Sequence, residues 1–137
     1  MLADIAQKYY LEGDFNCAES VLLAANEAYG FGLDEQTCIR LLGAFGGGMG
    51  CGLVCGAVAG AMSAVGYAAI EQRAHATEGF KDLCAGTVKL LENRLTAIDC
   101  AKVKPVFFSE GTRCLGTVRA ACDVLEKQMD AIRAAKA

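Results

Sequence analysis

Cysteine is the residue type in this chain best able to do chemistry, since eight occur in only 137 residues. A thiolate can attack disulfides, bind metals or be oxidised reversibly, depending on its pKa and its neighbours. The absence of any Cys-x-x-Cys pair argues against zinc-ribbon, thioredoxin-type and bacterial-ferredoxin motifs, and rules out covalent haem attachment through Cys-x-x-Cys-His. Any site must therefore be assembled from distant parts of the chain. The eight are Cys17, Cys38, Cys51, Cys55, Cys84, Cys100, Cys114 and Cys122.

Four of these cysteines are the candidate catalytic residues. Cys17 follows a predicted helix N-cap, Cys55 follows a glycine run at the start of a predicted helix, and Cys114 begins the predicted last helix beside Arg113. Backbone amides and the dipole at a helix N-terminus stabilise a thiolate. Cys100 is expected in an irregular link, where a cysteine can resolve a disulfide formed by another. We expect the four to converge, with Cys55 as the attacking thiolate.

The sequence favours other roles for the remaining four cysteines. Cys38, Cys84 and Cys122 fall on apolar helical stripes, where a buried small hydrophobe is the default. Cys51 precedes Cys55 by four residues, so the two could share a metal ion. Four thiolates also suit zinc or an iron–sulfur cluster. The sequence thus leaves the cofactor open between none, zinc and an iron–sulfur cluster.

The elements that must position the cysteines are predicted to be helices. The chain has one proline, no tryptophan and 54% hydrophobic residues, and its apolar residues recur at three- and four-residue steps. We predict an all-α, compact bundle of five to six helices around a Gly/Ala-rich central helix, forming one domain over residues 1–137. The stretch 100–111, which contains Pro105, is expected to be irregular.

Glycines recur every four residues along the predicted central helix, which is expected over about residues 52–73. Gly52, Gly56 and Gly60 would then share one face, where a neighbouring backbone can approach closely. A glycine inside a helix costs about 1 kcal/mol relative to alanine. Tight packing or a bound group must offset that cost, so Gly56 and Gly60 are candidate cofactor contacts.

Charge and hydropathy exclude several classes of function. The net charge is −3 without a basic cluster, which argues against nucleic acid as a partner. Residues 52–70 carry no charge, but they are rich in Gly and Ala, so we expect a buried helix and no stable membrane span. No basic segment followed by an apolar run begins the chain, which favours a cytoplasmic protein with reduced thiols.

The cysteine pattern resembles that of the C_GCAxxG_C_C family of redox-active proteins. Residues 55–60 read Cys-Gly-Ala-Val-Ala-Gly, and Cys17, Cys100 and Cys114 correspond to the other three cysteines of the pattern. The resemblance covers nearly the whole chain and implies a helical domain with a redox role. The additional cysteines leave a metal site open, and the haem-attachment sequence of the similar split-Soret cytochromes is missing.

Three functional hypotheses follow from the sequence. The first is thiol–disulfide or electron-transfer chemistry with an unidentified redox partner or small molecule, as in a thiol oxidoreductase. The second is a metal or cofactor carrier that uses the same thiolates. The third is a helical interaction module in which the cysteines are structural and the glycine face forms a homodimer seam.

Overall fold

The chain folds into seven α-helices with no β-sheet, and the computed structural model describes all of residues 1–137. The predicted all-α class is confirmed, while the number of helices exceeds the five to six expected. The helices are α1 (Leu2–Leu11), α2 (Cys17–Tyr29), α3 (Glu35–Leu42), α4 (Gly56–Ala69), α5 (Phe80–Leu95), α6 (Cys100–Phe107) and α7 (Leu115–Lys136).

The additional helix is α6, which occupies most of the stretch expected to be irregular. Pro105 lies in its last turn, where it removes a single backbone hydrogen bond rather than breaking a long helix. Asp99 precedes the helix at the N-cap position, so Cys100 is the first helical residue. The prediction of an irregular link was therefore wrong, and Cys100 belongs to a helix N-terminus.

Helix α4 is shorter than expected because the glycine run before it adopts left-handed backbone. Gly47, Gly48, Met49, Gly50 and Gly52 all have φ between +59° and +77°, which ordinary residues rarely adopt. This run forms an irregular turn that ends before Cys55, so Gly52 does not share a helix face with the later glycines. At 14 residues, α4 is also too short to cross a bilayer, and no other helix is long and apolar enough.

The remaining glycine face of α4 packs against α2 within the same chain. A Cβ added to Gly60 would lie 2.6 Å from the carbonyl oxygen of Ala18, and one added to Gly56 would lie 3.2 Å from the Ala18 nitrogen. The expected close approach of a neighbouring helix is therefore observed. Since α2 already covers this face, it does not form the dimer seam considered from the sequence.

One continuous cluster of buried apolar side chains fills the space between the helices. The longest helix, α7, contacts α1, α2, α4, α5 and α6, whereas α4 contacts α2, α5 and α7. A central position for α4 alone is thus not confirmed. Cys38 and Cys122 are buried in this core, as predicted, while Cys84 is only half-buried on α5.

Candidate active site

Four helix N-termini meet at one cavity of about 310 Å³, and each contributes a cysteine. Cys17 and Cys100 are the first residues of α2 and α6, and Cys55 and Cys114 are the N-caps of α4 and α7. All four line the cavity, so the structure brings together the residues selected from the sequence. Each helix N-terminus carries partial positive charge, which favours an anion such as a thiolate in this space.

Local hydrogen bonds fix the start of α2 and so place Cys17. The Asn16 side chain accepts a hydrogen bond from the Glu19 N–H at 2.9 Å, and the Glu19 carboxylate accepts one from the Asn16 N–H at 2.9 Å. This reciprocal capping box satisfies two amides that would otherwise lack partners. The Asn16 amide also donates to the carbonyl of Gly43 at 3.1 Å, which ties α2 to the segment after α3.

A short antiparallel backbone pairing places Cys55 beside Cys100. The Cys55 N–H donates to the Ile98 carbonyl at 2.7 Å, and the Cys100 N–H donates to the Leu53 carbonyl at 2.6 Å. This pairing puts Cys55 and Cys100 on the same face and at diagonal positions, because side chains alternate along extended backbone. Gly48 makes room for this arrangement, since an added Cβ there would lie 2.6 Å from the Cys100 Cβ.

Tyr10 of α1 holds Cys114 from the opposite side of the cavity. The Tyr10 hydroxyl accepts a hydrogen bond from the Cys114 N–H at 3.1 Å. The Arg113 guanidinium lies over the Tyr10 ring, 4.6 Å from its centroid, and donates to the Tyr10 carbonyl at 3.1 Å. A cation in this position contacts the negative face of the aromatic ring. The start of α7 is therefore fixed to α1 on both sides of Cys114.

Two of the four non-glycine residues with left-handed backbone face each other across this cavity. Asp14 has φ +58° and Arg113 has φ +54°, and their side chains form an ion pair at 3.6 Å. A left-handed conformation costs roughly 1–2 kcal/mol for an ordinary side chain such as that of Arg113, whereas aspartate adopts it more readily. Such conformations cluster at functional sites, where the surrounding structure maintains them. The strained residue at this cavity is therefore Arg113, which directly precedes Cys114.

The four cysteines differ in their acidity because they differ in their neighbours. A hydrogen bond from the Cys17 thiol, aided by the positive charges of Lys104 and Arg113, lowers the pKa of Cys114 to about 7. The same thiol–thiol contact, together with burial, raises the pKa of Cys17. Of these two thiols, Cys114 is therefore the stronger acid and Cys17 the one that keeps its proton more readily.

Cys55 is not the acidic thiol that the sequence indicated. Its side chain is only 4% exposed, and burial raises the pKa of the Cys55 thiol. The N–H groups of Ala57 and Val58 at the start of α4 act in the opposite direction, but burial outweighs them. The expected helix-terminus effect is thus present, but the cost of desolvating the anion outweighs it, so burial argues against Cys55 as the attacking thiolate.

The structure does not bring all of the candidate cofactor and metal residues to the cavity. Gly56 lines the cavity, whereas Gly60 faces the α2 backbone and cannot contact a group bound in the cavity. Cys51 is exposed on the glycine-rich turn and does not line the cavity, so it is not brought there with Cys55. No group of three or more His, Cys, Asp or Glu side chains is arranged to hold a metal ion.

Sequence reasoning did not identify three further residues that shape the cavity: Tyr10, Lys104 and Phe108. Tyr10 comes from a different part of the chain, and nothing in its local pattern distinguishes it from a core residue. Lys104 and Phe108 lie one turn apart at the end of α6, with the ammonium group 5.2 Å from the ring centroid. The missed signal was α6 itself, since recognising that helix places Lys104 one turn after Cys100.

The fold and the cavity together define a small helical protein with clustered thiols. The model of the family described as "Putative redox-active protein (C_GCAxxG_C_C)" matches residues 15–128, a segment that includes all four cavity cysteines. The chain therefore belongs to the C_GCAxxG_C_C family, which confirms the resemblance found in the sequence. No curated protein and no solved structure matches the chain.

Proposed function

We propose that this protein is a thiol–disulfide oxidoreductase in which Cys114 is the nucleophile and Cys17 the resolving thiol. The observation that carries this proposal is that both cysteines line one cavity of about 310 Å³, which also contains Lys104 and Arg113. A pKa of about 7 at Cys114 leaves about half of this thiol ionised at neutral pH. Thiols with pKa values near the ambient pH are the most effective attackers in disulfide exchange.

The chemistry balances as a two-electron exchange with a disulfide substrate. The Cys114 thiolate attacks one sulfur of the substrate, breaks its S–S bond and forms a mixed disulfide while one thiolate leaves. Cys17 then loses its proton to that leaving thiolate and attacks the Cys114 sulfur, which releases the second half of the substrate as a thiolate that takes a proton from water. The substrate is reduced to two thiols, and the protein is oxidised to a Cys17–Cys114 disulfide.

Cys55 and Cys100 form a second pair within the same site. Charge on Cys55 interacts with both Cys100 and Cys114, and charge on Cys17 interacts with Cys55. Exchange between the pairs would transfer the disulfide from Cys17–Cys114 to Cys55–Cys100 without adding or removing electrons. The four thiols could thus give up four electrons in total by forming two disulfides, which is consistent with the redox role in the family description.

The test is to equilibrate the protein in buffers of reduced and oxidised dithiothreitol and to map the disulfides by peptide mass spectrometry. We expect the Cys17–Cys114 disulfide to form first, and alanine at either position to abolish it. Cys84→Ala is the matched control, because Cys84 is half-buried on α5 and does not line the cavity. Formation of no disulfide among the four cavity cysteines at any ratio of the two reagents would refute the proposed function.

A further inference from the structure

The reactive thiols are recessed, which limits the size of their substrate. Cys55 is buried, and Cys17, Cys100 and Cys114 are each only partly exposed inside the cavity of about 310 Å³. A volume of this order matches small-molecule sites in proteins. The shape therefore favours a low-molecular-weight substrate.

The charges that line the cavity are mostly positive. Lys104 and Arg113 are the cations, and Asp14 is the single carboxylate, with its side chain 91% exposed and paired to Arg113 at 3.6 Å. Lys104 forms no ion pair with a carboxylate, and its ammonium group lies 5.2 Å from the centroid of the Phe108 ring. One cation at the cavity is therefore without an anionic partner.

The backbone adds further positive potential at the same place. The four helix N-termini that meet here each contribute roughly half a positive charge. Asp99 does not cancel it, since this residue pairs with Val54 on the face opposite Cys55 and Cys100 and does not line the cavity. The Glu19 carboxylate offsets the terminus of α2, where it accepts a hydrogen bond from the Asn16 N–H. With Cys114 ionised, the two cations balance Asp14 and the thiolate, so the termini of α4, α6 and α7 leave the cavity with excess positive potential.

From these observations we infer that the cavity selects a small disulfide that carries a carboxylate group, with Lys104 binding that carboxylate. This inference rests on the proposed function. The apolar walls formed by Phe15, Val103 and Phe108 would contact the short carbon chain between carboxylate and sulfur. The electron balance is unchanged, because the carboxylated disulfide is the oxidant and leaves as two carboxylated thiols while Cys17 and Cys114 become oxidised.

The experiment compares three symmetrical disulfides that differ in charge: dithiodipropionate (anionic), bis(2-hydroxyethyl) disulfide (neutral) and cystamine (cationic). The rate of Cys17–Cys114 disulfide formation is measured for each at one pH and divided by the rate with free 2-mercaptoethanol. This division removes the intrinsic reactivity of each reagent. We expect the anionic disulfide to exceed the neutral one by about tenfold, and the cationic disulfide to be slower than both.

Lys104→Gln should lower the anionic-to-neutral preference by about threefold to tenfold. The preference is a ratio within one variant, so it does not change when the substitution alters the thiolate fraction of Cys114. Lys102→Gln is the matched control, because Lys102 is an exposed lysine on the same helix that does not line the cavity.

The outcomes separate this inference from the proposed function. Equal normalised rates for the three disulfides, or an unchanged preference in Lys104→Gln, would overturn the inference while leaving thiol–disulfide exchange intact. A preference that falls equally in Lys102→Gln would also overturn it, since net protein charge would then be the cause. Failure of all three reagents to form the Cys17–Cys114 disulfide would instead refute the proposed function.

Discussion

Removing the Cys17 thiol should make Cys114 a weaker acid. The hydrogen bond from Cys17 is the largest of the effects that lower the pKa of Cys114, ahead of the charges of Lys104 and Arg113. A hydrogen bond to a charged group contributes about 1.5–3 kcal/mol, and each pKa unit corresponds to about 1.4 kcal/mol. Cys17→Ala should therefore raise the midpoint of Cys114 ionisation from about 7 by about 1 to 2 pH units.

The assay is alkylation by iodoacetamide as a function of pH, resolved by site through peptide mass spectrometry. The pH midpoint is the quantity to compare, because the intrinsic nucleophilicity of a thiolate increases with its pKa and partly masks changes in the rate. At pH 7 the ionised fraction of Cys114 should fall from about one half to between about one tenth and one hundredth. Cys17→Ser retains a hydroxyl donor and should shift the midpoint less.

Two results would contradict this reasoning. One is a wild-type midpoint for Cys114 at or above about 8.5, the value of an ordinary cysteine. The other is an identical midpoint in wild type and Cys17→Ala, which would mean that the two sulfurs do not share a hydrogen bond. Cys84→Ser, whose sulfur lies outside the cavity, should leave the midpoint of Cys114 unchanged.

Three further substitutions test the packing around the site, and a fourth on α5 serves as a control. Gly60→Ala should lower the free energy of unfolding by about 1–3 kcal/mol in urea titrations, because the added Cβ would lie 2.6 Å from a backbone oxygen of α2. Gly86→Ala on α5 is the control, since its added Cβ meets no atom within 4 Å, and it should raise the free energy of unfolding by about 0.5–1 kcal/mol. Gly48→Ala should displace Cys100, because its Cβ would lie 2.6 Å from the Cys100 Cβ, and disulfide mapping should show less of the second pair. Asn16→Ala removes the N-cap of α2 and should cost about 1 kcal/mol in the same titrations, and an unchanged stability would show that the capping box contributes nothing.

The sequence predicted the helices whose boundaries carry local signals. For example, an asparagine stands at the N-cap of α2, Gly30 ends that helix and Asp34 caps α3, and residues of these types stabilise helix termini. The prediction failed where local signals conflict. In α6 the single proline suggested a break, although a proline in the last turn of a short helix costs only one hydrogen bond.

The candidate site was predictable as a set of residues but not as a set of roles. Helix N-termini identified Cys17, Cys55 and Cys114 because the local dipole acts on any thiol placed there. The helix dipole alone does not determine which of these thiols is the most acidic. Burial opposes ionisation of Cys55, whereas a neighbouring thiol favours ionisation of Cys114. Both of these effects depend on contacts between distant segments, including Tyr10 of α1, and no periodicity in the chain encodes those contacts.

The distance along the chain between Cys17 and Cys114 has a consequence for folding. A bond between these sulfurs would close a loop of roughly one hundred residues, and in the chain-entropy account such a closure stabilises a protein by about 4–5 kcal/mol. The redox state of Cys17 and Cys114 would then affect the thermal stability of the whole helical bundle, and the oxidised protein would melt at the higher temperature. Reduction would loosen the connection between the first and last thirds of the chain.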